Sequence, residues 1–83
     1  MRVTVKLFAR LRDLAGASDL TRDVSSPATV QTVWQALVAD MPALVEYERT
    51  MSVAVNAEYA RMGTSVNDGD EVAFLPPVSG GQA

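Results

Sequence analysis

Thr29–Met41 reads TVQTVWQALVADM, and its apolar residues recur at helical spacing. Val30, Val33, Trp34, Leu37, Val38 and Met41 fall on one face of a 3.6-residue period. Thr29 offers a hydroxyl that can cap the first turn. Ser25-Ser26-Pro27-Ala28 before it reads as a break. Pro42 ends the helix or opens a short second helical piece toward Arg49. A single amphipathic helix of this size must cover an apolar surface made by something else.

Outward from the helix, the flanking segments read as strands. On the N-terminal side Arg2–Ala9 alternates, with Val3, Val5 and Leu7 on one face and Thr4, Lys6 and Phe8 on the other. Phe8 is the odd residue, an aromatic on a polar face. Arg10–Gly16 fits a short helical turn closed by a glycine C-cap. Leu20–Ser25 is a weaker strand, with Arg22 between Leu20 and Val24. On the C-terminal side Met51–Asn56 is a strand with Val53 and Val55 on one face, and Glu58–Arg61 is a short edge strand. Asn67-Asp68-Gly69-Asp70 is a tight turn. Glu71–Leu75 is the last strand, with Val72 and Phe74 on one face and Ala73 and Leu75 on the other.

The order strand, strand, helix, strand, short strand, strand matches an α+β fold. It predicts a β-grasp (ubiquitin-like) mixed sheet crossed by one main helix. Trp34 and Leu37 then rest on Val5, Val55 and Phe74, and the first and last strands pair in the middle of the sheet. Residues 1–75 form the domain and residues 76–83 a flexible C-terminal tail.

The bulk numbers restrict the chemistry. Eighty-three residues make one domain, which buries roughly 60% of the surface its unfolded chain exposes. The chain has no cysteine and no histidine. That rules out disulfides, thiolate zinc sites, cysteine nucleophiles and histidine-based triads. The net charge is −3 and Lys6 is the only lysine. An acidic surface repels phosphate backbones, so nucleic acid is not an expected partner, and a partner with a basic face would suit it. Thr4 and Lys6 interrupt any secretory apolar run, and no apolar stretch is long enough to span a membrane. The expectation is a cytoplasmic protein without membrane contact.

After Leu75 the composition changes to Pro76-Pro77-Val78-Ser79-Gly80-Gly81-Gln82-Ala83. The prolines cannot donate to a ladder, and they direct the chain into an extended path. Six residues from Pro76 to Gly81 reach roughly 20 Å when extended. The glycine pair, lacking Cβ atoms, can enter a channel too narrow for other residues. A frayed end is the ordinary explanation of a terminal Gly-Gly; Pro-Pro-Val-Ser-Gly-Gly directly after a strand is far more specific.

Asp68-Gly69-Asp70-Glu71-Val72-Ala73-Phe74-Leu75-Pro76-Pro77-Val78-Ser79-Gly80-Gly81 resembles the C-terminal signature of the MoaD family of sulfur carriers. Leu7-Phe8-Ala9-Arg10-Leu11-Arg12 with Gly16, and Val53-Ala54-Val55-Asn56, resemble that family's N-terminal and middle segments. The resemblance implies the small subunit of a molybdopterin synthase. In that role Gly81 is adenylated by a MoeB-like enzyme using ATP, then converted to a thiocarboxylate by a sulfur donor. The tail, Pro76 to Gly81, enters a MoaE-like large subunit in a heterotetramer, and sulfur passes to cyclic pyranopterin monophosphate. The small subunit binds no cofactor and no metal in this scheme. It is a tethered substrate more than a catalyst, which agrees with the missing histidine and cysteine. Such carriers end at the second glycine, whereas Gln82 and Ala83 here seal the Gly81 carboxylate in a peptide bond. Proteolytic trimming, a cloning remnant and a divergent relative are the open explanations, and the intact signature favours the first two.

Two other roles stay open: a sulfur carrier for thiazole or cysteine biosynthesis, and a ubiquitin-like protein modifier. Phe8, Ala73 and Leu75 share the face opposite the helix and make a candidate docking patch beside the tail. Arg10 and Arg12 can meet an acidic rim on a partner, although solvated arginines are the plainer reading. Asn67, Asp68, Asp70 and Glu71 lack calcium-loop spacing and read as a turn.

Overall fold

The computed structural model describes residues 1–77 of the chain. Strands β1 (Arg2–Leu7) and β2 (Asp19–Asp23) flank helix α1 (Ala9–Ala15). A short strand β3 (Ala28–Thr29) leads into helix α2 (Val30–Asp40) and a 3-10 helix at Pro42–Tyr47. Strands β4 (Ser52–Val55), β5 (Glu58–Ala60), β6 (Ser65–Val66) and β7 (Glu71–Leu75) follow. The main sheet has the order β2-β1-β7-β4-β5. Strands β1 and β7 run parallel at its centre, with Val5 opposite Val72 and Leu7 opposite Phe74; β7 also pairs antiparallel with β4. This is the expected β-grasp sheet.

The alternation read from the sequence sorts side chains onto two faces. Val3, Val5, Leu7, Val53, Val72 and Phe74 are buried with Val30, Val33, Trp34 and Leu37 of α2 in one core. Trp34 and Phe74 meet with ring centroids 5.0 Å apart and planes tilted by 47°, within the range that favours aromatic pairs. Val55 packs against the rim of that core. The indole N–H of Trp34 donates to Glu48 Oε1 at 2.9 Å, so the buried polar atom is satisfied from just beyond the 3-10 helix.

Helix α2 starts where Thr29 predicts. The Thr29 hydroxyl accepts from the Thr32 N–H, and the Thr32 hydroxyl accepts from the Thr29 N–H at 3.1 Å. Two further N–H groups of the first turn, Val30 and Gln31, donate to the carbonyls of Thr64 and Met62 at 2.9 Å. Helix starts leave such donors unpaired, and here a distant loop supplies the acceptors. Gly16 closes α1 with φ +76°, and its N–H donates to the Arg12 carbonyl, as a left-handed C-cap should.

Three expectations need correction. The first strand was expected to reach Ala9 but ends at Leu7, because Ala9 adopts φ +49° and turns the chain into α1. The second strand covers Asp19–Asp23 in place of Leu20–Ser25, paired with β1 from Lys6–Asp19 to Arg2–Asp23. The break before α2 contains β3, which pairs with β6 in a separate two-stranded sheet. Two residues are too few for an alternation signal. Arg22 does fall on the row of Leu20 and Val24, half-buried, and reaches Asp40 at 3.2 Å. That places a cation at the last turn of α2, where the helix dipole favours one.

Candidate functional site

The face of the sheet away from α2 carries the other half of each alternation. On β1 these are Thr4 and Lys6, on β7 Glu71, Ala73 and Leu75, and on β4 Ala54. Register sets them side by side: Lys6 opposite Ala73, Ala73 opposite Ala54, Ala54 opposite Tyr59. Small residues on the two inner strands leave a low floor, and larger ones on either side raise walls. The result is a concavity of about 520 Å³ that includes Phe8, Ala54, Tyr59, Ala73 and Leu75 among its lining residues.

The structure therefore brings the three expected patch residues, Phe8, Ala73 and Leu75, into one depression. Phe8 stands one step past the Leu7–Phe74 pair, extended at φ −125° and ψ 155°, and is 43% exposed. Tyr59 is 85% exposed although it is one of the largest apolar side chains in the domain. Leaving such rings in water has no benefit for folding, since burial of each would contribute roughly 1.5–3 kcal/mol. Sequence reasoning passed over Tyr59 and Ala54. Their signal was the Asn56-Ala57 step, which fixes a two-residue hairpin and hence the pairing of Ala54 with Tyr59.

That hairpin is held unusually. Asn56 and Ala57 both have positive φ, +51° and +70°, the conformation of a type I′ turn that glycine normally occupies at its second position. Asn56 carries the turn with its side chain. Its Nδ2 donates to Asp70 Oδ1 at 3.0 Å and its Oδ1 accepts from the Glu71 N–H at 2.9 Å. Asp70 Oδ2 also accepts from the Asn67 N–H at 2.8 Å. These bonds, led by the one from Asn56, hold the Asp70 carboxyl below the usual carboxylate range. The Asn67–Asp70 turn meanwhile grips β1: the Arg2 N–H donates to Asp68 Oδ1 at 2.7 Å, and the Gly69 N–H donates to the Arg2 carbonyl at 2.8 Å. The walls of the concavity thus rest on a bonded framework.

Beside the apolar floor lies a charged row. Lys6 Nζ forms an ion pair with Asp19 Oδ1 and lies 3.9 Å from Glu71 Oε2. The Asp19 bond raises the Lys6 pKa, and the Lys6 and Ser18 bonds lower that of Asp19. Arg12 contributes to the lining from α1, and Arg10 is not among the lining residues. Among the described residues no cluster of acidic side chains is arranged to hold a metal ion, and no helix is long and apolar enough to cross a membrane.

The tail begins at the end of β7, the central strand, bonded on both sides. Pro76 is half-buried and Pro77 exposed. Val78, Ser79, Gly80 and Gly81, the rest of the expected insertion segment, lie outside the described residues, as do Gln82 and Ala83.

The model of the ThiS family matches residues 5–81. The molybdopterin synthase sulfur carrier subunit of Arabidopsis thaliana is 40% identical over 81 residues, covering 98% of this chain and 84% of that protein. Small archaeal modifier protein 1 of Haloferax volcanii is 40% identical over 84 residues, covering 92% and 97%. Its crystal structure superposes with a TM-score of 0.85 at 37% identity, covering 98% of this chain and all of that one. The structure of the Amycolatopsis orientalis BexX/CysO complex contains a chain with a TM-score of 0.72 at 26% identity, covering 95% and 99%. With the signature residues, the β-grasp sheet and a family match over nearly its whole length, the chain belongs to the ThiS family of ubiquitin-like sulfur carriers.

Proposed function

We propose that this protein is the sulfur-carrier subunit of a molybdopterin synthase, working in the cytoplasm. The observation that carries the reading is the placement of an exposed apolar concavity beside the root of a Pro-Pro-Val-Ser-Gly-Gly tail. A carrier needs both parts: a surface that docks on a second protein, and a slim chain end that enters it. The Arabidopsis relative's name supports the molybdenum cofactor role, and CysO in its complex with BexX supports a protein partner for such a fold.

In this reading the acyl group is that of Gly81, after removal of Gln82-Ala83. A MoeB-like enzyme joins the Gly81 carboxylate to the AMP portion of ATP and releases pyrophosphate. A sulfur donor then displaces AMP, leaving a thiocarboxylate. Phe8, Ala73 and Leu75, with Ala54 and Tyr59, dock on a MoaE-like large subunit while residues 76–81 enter its active site. Docking raises the effective concentration of the sulfur at its acceptor, cyclic pyranopterin monophosphate. ATP belongs to the activating partner, and this chain contributes the terminal carboxylate without catalytic side chains.

The modifier reading has one specific support, the 40% identity to the Haloferax modifier protein. Intact-mass analysis separates the two. A chain ending at Gly81, incubated with ATP, the activating enzyme and a sulfur donor, should exchange one oxygen for sulfur. Transfer of that sulfur to the pterin in the presence of the large subunit completes the test. Recovery of isopeptide adducts to lysines of other proteins, with no thiocarboxylate, would establish the modifier instead.

A further inference from the structure

The concavity is unevenly charged. Along a row from β2 across β1 to β7 one ammonium, Lys6, faces two carboxylates, Asp19 and Glu71, and all three belong to the lining. Lys6 is hydrogen-bonded to Asp19, whereas Glu71 only approaches it at 3.9 Å. The Glu71 carboxylate, 45% exposed at its side chain, is thus left undercompensated. The neighbouring charges do not correct this. Arg2 on the same face is bonded to Asp23 at 3.3 Å, and Arg12, although it lines the concavity, approaches Asp13 at 3.9 Å and forms no ion pair with Glu71 among the described residues.

We propose that the protein docking in this concavity brings a basic side chain, a guanidinium or an ammonium, to Glu71 at the edge of the apolar floor. The inference rests on the docking reading above and adds the partner's chemistry. An apolar projection alone, seated on Ala54 and Ala73, would strip water from two carboxylates that share one cation, and that desolvation is costly. A partner cation offsets it. An anionic group reaching for Lys6 would have to displace Asp19 and would meet Glu71. The net charge of −3 with one lysine in the whole chain acts in the same direction, accelerating encounter with a basic surface. The charged row also orients the partner: the cation fits at Glu71, at the opposite end of β7 from Leu75, so the tail root faces a fixed part of the partner.

The test measures binding of the full β-grasp chain ending at Gly81 to the large molybdopterin-converting subunit of the same organism, at low and at physiological salt. Glu71→Gln should slow association and weaken binding about 3–10-fold at low salt, and flatten its salt dependence. Asp19→Asn should weaken it further, because the released Lys6 then repels the incoming cation. Lys6→Met should tighten binding by a few-fold. Opposite signs, with Glu71→Gln tightening and Lys6→Met weakening, would overturn the proposal in favour of an anionic contact. Equal affinities for all three variants would overturn it in favour of a purely apolar one. Phe8→Asp in the same assay keeps the two levels apart. If it weakens binding while the charge variants do not, only this inference fails. If it has no effect, or if the wild-type chain does not bind, the docking reading fails and this inference with it.

Discussion

Replacing Ala57 by glycine should make the protein more stable and its proposed docking surface slightly poorer. Ala57 sits at φ +70°, where an L-residue costs roughly 1–2 kcal/mol relative to right-handed backbone. Glycine removes that cost but adds about 0.4–1 kcal/mol of unfolded-state freedom. The net gain is about 0.5–1 kcal/mol, or roughly 2–8 °C in melting temperature for a domain of this size. The same methyl group lines the concavity, where its burial by a partner is worth at most about 0.8 kcal/mol, a factor of about 4 in Kd. Asn56→Gly is the matched control. It relieves φ +51° in a residue that tolerates it, and loses both side-chain bonds to Asp70 and Glu71, for a net destabilisation of about 1–2 kcal/mol. Urea unfolding followed by circular dichroism and by the emission of Trp34, the single tryptophan, reads both. A lower midpoint for Ala57→Gly, or a neutral Asn56→Gly, would refute the view that the asparagine side chain holds a strained turn in place of a glycine.

Phe8 and Leu11, three residues apart, should respond in opposite ways. Leu11→Ala removes a fully buried side chain and should cost about 2–5 kcal/mol by denaturant titration. Phe8→Asp should leave the unfolding midpoint within about 0.5 kcal/mol while weakening binding to the large subunit by more than about tenfold; surface plasmon resonance checks the second half. The depressed pKa of Asp70 gives a pH dependence. Its folded value lies below the unfolded one, so it adds stability above the ordinary carboxylate value near ~3.9, and that increment disappears as pH falls through the folded value. Asp70→Asn should therefore flatten the melting temperature profile below about pH 4. Lys6 behaves inversely, its raised pKa adding stability below the ordinary lysine value near ~10.4 and losing it as pH rises beyond. Lys6→Met should remove the loss above that pH, as read by thermal melts in alkaline buffer.

Most of the sheet was legible because alternation is a two-state signal. Val72 and Phe74 against Ala73 and Leu75 fixed which half of β7 meets the helix, and the same sorting put Phe8 on the open face. What stayed hidden depends on groups distant in sequence. The acceptors for the first turn of α2 are carbonyls of Met62 and Thr64, more than thirty positions away, and no local pattern in the connection between β5 and β6 announces them. The concavity needed the register as well as the faces. Only pairing tells that Ala54 stands between Ala73 and Tyr59, turning two alanines into a floor. The Lys6–Asp19–Glu71 row is likewise a product of β1 lying between β2 and β7.

The position of the tail root explains why a ubiquitin-like sheet suits this task. The chain end leaves from β7, which is hydrogen-bonded to β1 on one side and β4 on the other. A tail leaving an edge strand could peel back one residue at a time, and the distance from docking surface to acyl group would then vary. Here Leu75 belongs both to the concavity and to a strand fixed on both edges, so a docked partner and the start of the tail share one frame. Six residues beyond it span at most roughly 20 Å, which limits the separation between the docking surface and any active site the tail can serve. Sulfur delivery in this scheme then depends on two lengths that must agree, one set by the sheet and one by the partner. An unfolding event at β7 would disturb the first before it touched the chemistry at all.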